Sequence, residues 1–137
     1  DKNKGGTFDF ASSNEMWRAS IEVLDFVPFS NASYSGGILI TEWFDGNAKN
    51  KNVKRDLKIT VRFLSNEIRA DALKINIHER KCQKSFIDCD VIKIQSKLEA
   101  EIKLAILKRA ALMQKKGFTE ASKEYRKDKR TTLEKRK

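Results

Sequence analysis

The sequence holds one histidine, His78, and two cysteines, Cys82 and Cys89, close together. The cysteines enclose six residues, 83–88, so a hairpin turning about Ser85-Phe86 sets them opposite each other on neighbouring strands, within disulfide reach. In an oxidising compartment, closing that short loop contributes roughly 2.5 kcal/mol by chain entropy. Two free thiols are the alternative. Metal binding is a third reading, since His78 and Cys82 share one face of a strand, but H-x3-C-x6-C supplies three ligands and lacks the C-x-x-C knuckle of structural zinc. Any nucleophilic triad would have to pass through His78, and no G-x-S-x-G precedes it. Gly36-Gly37 reads as a turn, because it lacks the spacing and following lysine of a phosphate-binding loop. Asp71 is the carboxylate to watch, although an ion pair with Arg69 explains it more simply. These residues name no catalytic set, no cofactor and no metal centre, and they point away from an enzyme.

Charge is the loudest signal. The 137 residues carry 29 Lys or Arg against 19 Asp or Glu, a net +10. Residues 115–137 hold ten basic and four acidic side chains, a net +6. Lys115, Lys116, Lys123, Arg126, Lys127, Lys129 and Arg130 make this stretch a candidate anion-binding tail for nucleic acid, anionic lipid or cell wall, without sequence specificity. Lysine outnumbers arginine 20 to 9, and arginine is the residue that reads bases and forks phosphates, so nucleic acid is the weaker partner. No apolar run approaches the roughly 18 residues of a membrane helix. A hydrophobic content of 39% is too high for a wholly disordered chain.

The elements that must position these residues follow from periodicity. Residues 1–11 read as a flexible lead. Ser12-Ser13-Asn14-Glu15 fits a capping box, and Trp17, Ser20, Ile21 and Leu24 then fall on one helical face until Pro28. Residues 30–37 read as a turn. Residues 38–44 form a strand containing Thr41 and Trp43. Leu57, Ile59, Val61 and Phe63 alternate with Lys58, Thr60 and Arg62, the clearest half-buried strand. A phase slip between Ile68-Ala70-Ala72 and Leu73-Ile75-Ile77 predicts a bulge near Asp71. Residues 86–94 supply a fourth strand or the run into a long amphipathic helix from about Ser96, which Gly117 is expected to end. The expectation is a single α+β domain over 12–116, with an N-terminal helix, an antiparallel meander of three or four strands and a long C-terminal helix packed on the sheet. Residues 117–137 are then a disordered or marginally helical basic tail.

Asn14-Glu15-Met16-Trp17-Arg18-Ala19-Ser20, Leu24-Asp25-Phe26-Val27-Pro28, Gly36-Gly37-Ile38-Leu39-Ile40-Thr41-Glu42-Trp43 and Ile68-Arg69-Ala70-Asp71-Ala72-Leu73 together resemble an alphaproteobacterial lipoprotein family, domain of unknown function 3576. The likeness runs over about residues 14–112 and leaves the basic tail outside it. An opening helix with Trp, followed by a Gly-led strand, is more weakly similar to the helix-grip domains of BamC-type lipoproteins. The resemblance implies export, anchoring by a lipidated cysteine upstream of Asp1 and residence in the periplasm on a membrane. It transfers no catalytic residue. Trp17, Gly37, Thr41, Trp43, Arg69 and Asp71 are its motif positions and the candidate interface residues.

The function expected is a non-enzymatic, envelope-associated interaction or scaffold module, working through a sheet edge or the groove between helix and sheet. Its partner would be an envelope protein or a second copy of itself. The alternative is a binder of nucleic acid or anionic surfaces through the tail.

Overall fold

The computed structural model describes residues 14–50, 52–83 and 87–135, with side chains described as far as residue 117. Helix α1 is Glu15–Val23. Its N-cap is Asn14, whose side-chain oxygen accepts the Trp17 N–H at 3.1 Å. The capping role expected of Ser12 thus falls to Asn14, an equally good acceptor that places acidic Glu15 in the first turn. Ser12 itself lies outside the described residues. The helix ends at Leu24, well before Pro28, with the Leu24 N–H on the Ser20 carbonyl.

Six antiparallel strands follow: β1 Phe29–Ser33, β2 Ile38–Thr41, β3 Phe44–Asp45, β4 Lys54–Phe63, β5 Leu73–Cys82 and β6 Cys89–Ile94. The sheet order is β1-β2-β4-β5-β6, with β3 also on β4. The meander is therefore the expected one with more strands than the pattern showed. β1 occupies part of the stretch read as a turn: its sequence, FSNAS, has no apolar alternation, and backbone pairing with β2 alone makes it a strand. The tight link is Gly37, at φ +64°, where an added Cβ would stand 3.1 Å from the Phe63 carbonyl. A side chain there meets both a left-handed backbone and a clash.

Strands β2 and β3 are one strand broken by a bulge. Ile40 pairs with Thr60 and Phe44 with Leu57, so one extra residue is accommodated around Glu42 and Trp43. The ladder bond lost there is replaced by a side chain: fully buried Thr41 accepts the Ile59 N–H on Oγ1 at 3.0 Å. Thr41→Val keeps the shape and strands that donor. It is expected to cost about 1–3 kcal/mol in urea unfolding.

No strand bulge forms near Asp71. Residues 64–69 are loop, Ala70–Ala72 is a 3-10 turn, and β5 begins at Leu73. The Leu64 N–H on the Ala72 carbonyl closes this loop, so the first of the two apolar phases belongs to the connection.

Helix α2 is Lys97–Lys135, entered through Ser96, whose hydroxyl accepts the Leu98 N–H. It does not stop at Gly117. A helical glycine costs only about 1 kcal/mol against alanine, and the flanking Lys, Glu and Ala are strong helix formers. Both helices pack on one face of the sheet. Met16, Trp17 and Ala19 of α1 and Ile102, Ile106 and Ala110 of α2 join Leu39, Leu57, Ile59, Val61, Leu73, Ile75 and Ile77 in the core. Small Ala19, Ser20 and Ala110 let the helices approach, and Arg109 bonds Glu22 across them.

Candidate functional site

The alternation of β4 and β5 gives the sheet two unlike faces. The inner face is the core. The outer face carries Lys58, Thr60 and Arg62 beside Lys74, Asn76 and His78, and no described helix covers it.

Both faces become charged toward the disulfide end. On the inner side, Arg55 Nε donates to Glu79 Oε2, Arg55 Nη1 donates to the Gly46 carbonyl, and Lys81 Nζ lies 3.5 Å from Glu79. These groups border a cavity of about 610 Å³ lined also by Asn47, Asn50 and Val53. Burial pushes the Glu79 carboxyl up, but the hydrogen bond and charge of Arg55, aided by Lys81, outweigh it and hold the carboxyl below its ordinary value of 4.5. A carboxylate so neutralised is a poor proton donor or acceptor near neutral pH. A lowered pKa means the pair stabilises the fold fully above pH 4.5 and loses that contribution as pH falls through the lower, folded value. Urea midpoints measured against pH should therefore drop on acidification below about 4.5, and less steeply in Glu79→Gln.

On the outer side, the bulge delivers Trp43 onto the sheet. Lys58 Nζ lies 5.0 Å and Arg80 Cζ 4.4 Å from its ring centroid, both within cation–π range. Arg80 Nη2 also donates to buried Asp56 at 3.0 Å. Sequence reasoning left Trp43 between core and interface; it is half-buried and carries two cations.

β1 and β6 are the two edges of the sheet, and β6 is the one that carries the disulfide. Cys82 and Cys89 are directly paired and joined by a disulfide, Cα–Cα 4.0 Å. The turn expected about Ser85-Phe86 falls outside the described residues. The Gln83 N–H on the Asp88 carbonyl marks a hydrogen-bonded pair. Strict alternation then makes Asp90, Ile92 and Ile94 the residues bonded to β5, and turns the N–H and C=O of Val91 and Lys93 outward. Val91 and Ile92 are more than half exposed. Periodicity leaves this stretch open between a fourth strand and the run into the helix, because a strand exposed on both faces shows no alternation; the structure makes it a strand.

The remaining candidates separate. Trp17 is core, its ring against Tyr34 and Phe63, and it shares with Gly37 a hollow of about 360 Å³. Arg69 pairs with both Glu67 and Asp71 at 3.2 Å, with all three side chains more than half exposed. Asp71 is thus a surface ion-pair partner. Lys115 and Lys116 sit exposed on α2, while the side chains of Lys123, Arg126, Lys127, Lys129 and Arg130 lie outside the described ones. Among the described residues no His, Cys, Asp and Glu group could hold a metal, and no helix is long and apolar enough to cross a membrane.

An uncharacterized protein of Rickettsia prowazekii (strain Madrid E) is 30% identical over 64 residues, which is 47% of this chain and 36% of that protein. The match thus spans about a third of the relative's length. No solved structure matches, so the likeness to BamC-type domains stands on sequence pattern alone. The family model described as Domain of unknown function (DUF3576) matches residues 10–115, which takes in both helical packing stripes and the whole sheet, and the chain belongs to that family.

Proposed function

We propose that this chain is a non-enzymatic interaction module of the bacterial envelope, which takes an extended segment of a partner protein along β6. The observation that carries the reading is the edge itself. Outward-facing backbone groups at Val91 and Lys93 form a template for another strand, and Val91 and Ile92 offer apolar contact on either face. Natural edges of this kind are usually blunted by proline, bulges or covering elements. β6 has no proline, keeps an unbroken register with β5, and is stapled at its start by the disulfide.

The disulfide supports the periplasmic residence that the family resemblance implies, since such bonds persist in oxidising compartments. The ion-paired states of Glu79, Asp56 and Asp71 support a binding role over acid–base chemistry.

The location is tested by photo-crosslinking in intact cells, with a photoreactive residue at Ile92 or, as a control, at Leu64, which is exposed at the far end of the sheet. A discrete protein adduct from position 92 and none from 64 is the expected outcome. Equal adducts from both positions, or none from 92, would contradict the reading.

A further inference from the structure

The uncovered sheet face carries its charges in an unusual arrangement. Lys58 pairs directly with His78, and His78 with Lys93, so two lysines flank a histidine in one row across β4, β5 and β6. One further row holds Arg62 directly opposite Lys74. Residues directly paired in an antiparallel ladder point to the same side with Cβ atoms about 5 Å apart, and like charges so placed destabilise a sheet. Among the described residues no carboxylate lies within ion-pair distance of Lys58, Arg62, Lys74 or Lys93. The acids on this face, Asp45 and Asp56, gather at the other end, where Asp56 is taken by Arg80 and Lys54. A fold that sets Arg62 directly against Lys74, and places Lys58 and Lys93 on either side of His78 roughly 13 Å away along β4, gives up stability at a surface suited to anions.

We propose that this face docks on an anionic phospholipid surface. Charge complementarity argues for an anion, and three further features select phospholipid over nucleic acid. Trp43 already has Lys58 and Arg80 against its ring, which leaves it a carrier of cations and a poor platform for stacking bases. Lysines outnumber arginines in the two rows, giving point charges where base reading would use forks. Half-buried Ile38 extends the Arg62-Lys74 row across β2, and half-buried Ile40 the neighbouring Thr60-Asn76 row, adding the apolar component of an interfacial surface. The disulfide-closed hairpin also fits a compartment with lipid headgroups and no nucleic acid. This goes beyond the β6 reading and uses different side chains, so either can fail alone.

The test uses the full chain with vesicles of phosphatidylcholine, either pure or with about one-third phosphatidylglycerol. The double variant Lys74→Gln, Lys93→Gln is compared with a tail variant, Lys123→Gln, Lys127→Gln, Lys129→Gln. Wild type should bind the anionic vesicles and not the neutral ones, less so as salt rises. The face variant should bind about 25-fold more weakly, about fivefold per lysine, and melt about 2 °C higher because the Arg62–Lys74 repulsion is gone. That opposite movement of binding and stability separates docking from a structural role. Undiminished binding by the face variant, loss confined to the tail variant, a lowered melting temperature, or tighter binding to single-stranded DNA than to vesicles at the same salt would each overturn the proposal.

Discussion

Ile92→Pro is expected to destabilise the domain by about 1–3 kcal/mol, while Val91→Pro costs less than about 1 kcal/mol. The two residues are neighbours on β6 with similar exposure, so composition and burial give no reason for a difference. The register does. Ile92 is paired with Glu79 in the bonded phase of the ladder, so proline there removes a hydrogen bond to β5 and leaves the Glu79 carbonyl without its donor. Val91 points its N–H into the open edge, where a proline loses nothing internal. Urea unfolding of both variants measures the contrast. Equal costs would mean that the bonded phase of β6 has been misassigned, and with it the outward template on which docking depends.

Removing the Cys82–Cys89 bond by a double Cys→Ser change is the second large effect, at about 2.5 kcal/mol from the short closed loop, or roughly 10 °C in melting temperature. The loss should be uneven. β6 makes few contacts with the helical layer, and the disulfide is the covalent tie that holds its start to β5, so the edge should open before the core. Amide exchange is expected to accelerate at Ile92 and Ile94, whose N–H groups bond β5, while Ile59 and Ile77 in the centre keep their protection. Uniform acceleration throughout the sheet would show that the bond braces the whole domain rather than the edge.

What the sequence disclosed and what it hid divide along physical lines. β4 was legible because it is buried on one side only: Leu57, Ile59 and Val61 go inward and Lys58, Thr60 and Arg62 outward, which is the period-two signal itself. The packed part of α2 was legible for the same reason, through Leu98, Ile102, Ile106 and Met113. β1 and β6 were hard to read because strands exposed on both sides are specified by partner backbone, which leaves no mark in composition. The slip at Ala70–Ala72 imitated a bulge because a short turn and a strand can both present alternate apolar residues. Gly117 was read as a stop, but a glycine amid strong helix formers lacks the energy to end a helix. At the candidate surfaces, each lysine was visible singly. That Lys58, His78 and Lys93 stand abreast, or that Trp43 meets Lys58 and Arg80, depends on register between strands and could not be read from spacing along the chain.

The central claim is that a partner strand bonds to the outward backbone of β6, and the most direct measurement is the yield of the Ile92 crosslink in a Val91→Pro background. The proline deletes one outward N–H and leaves the fold and the crosslinking side chain in place. Strand addition predicts that the adduct is lost although the protein is folded and present at the wild-type level. An adduct of undiminished yield would show that whatever contacts β6 does so through side chains alone, and would contradict the account.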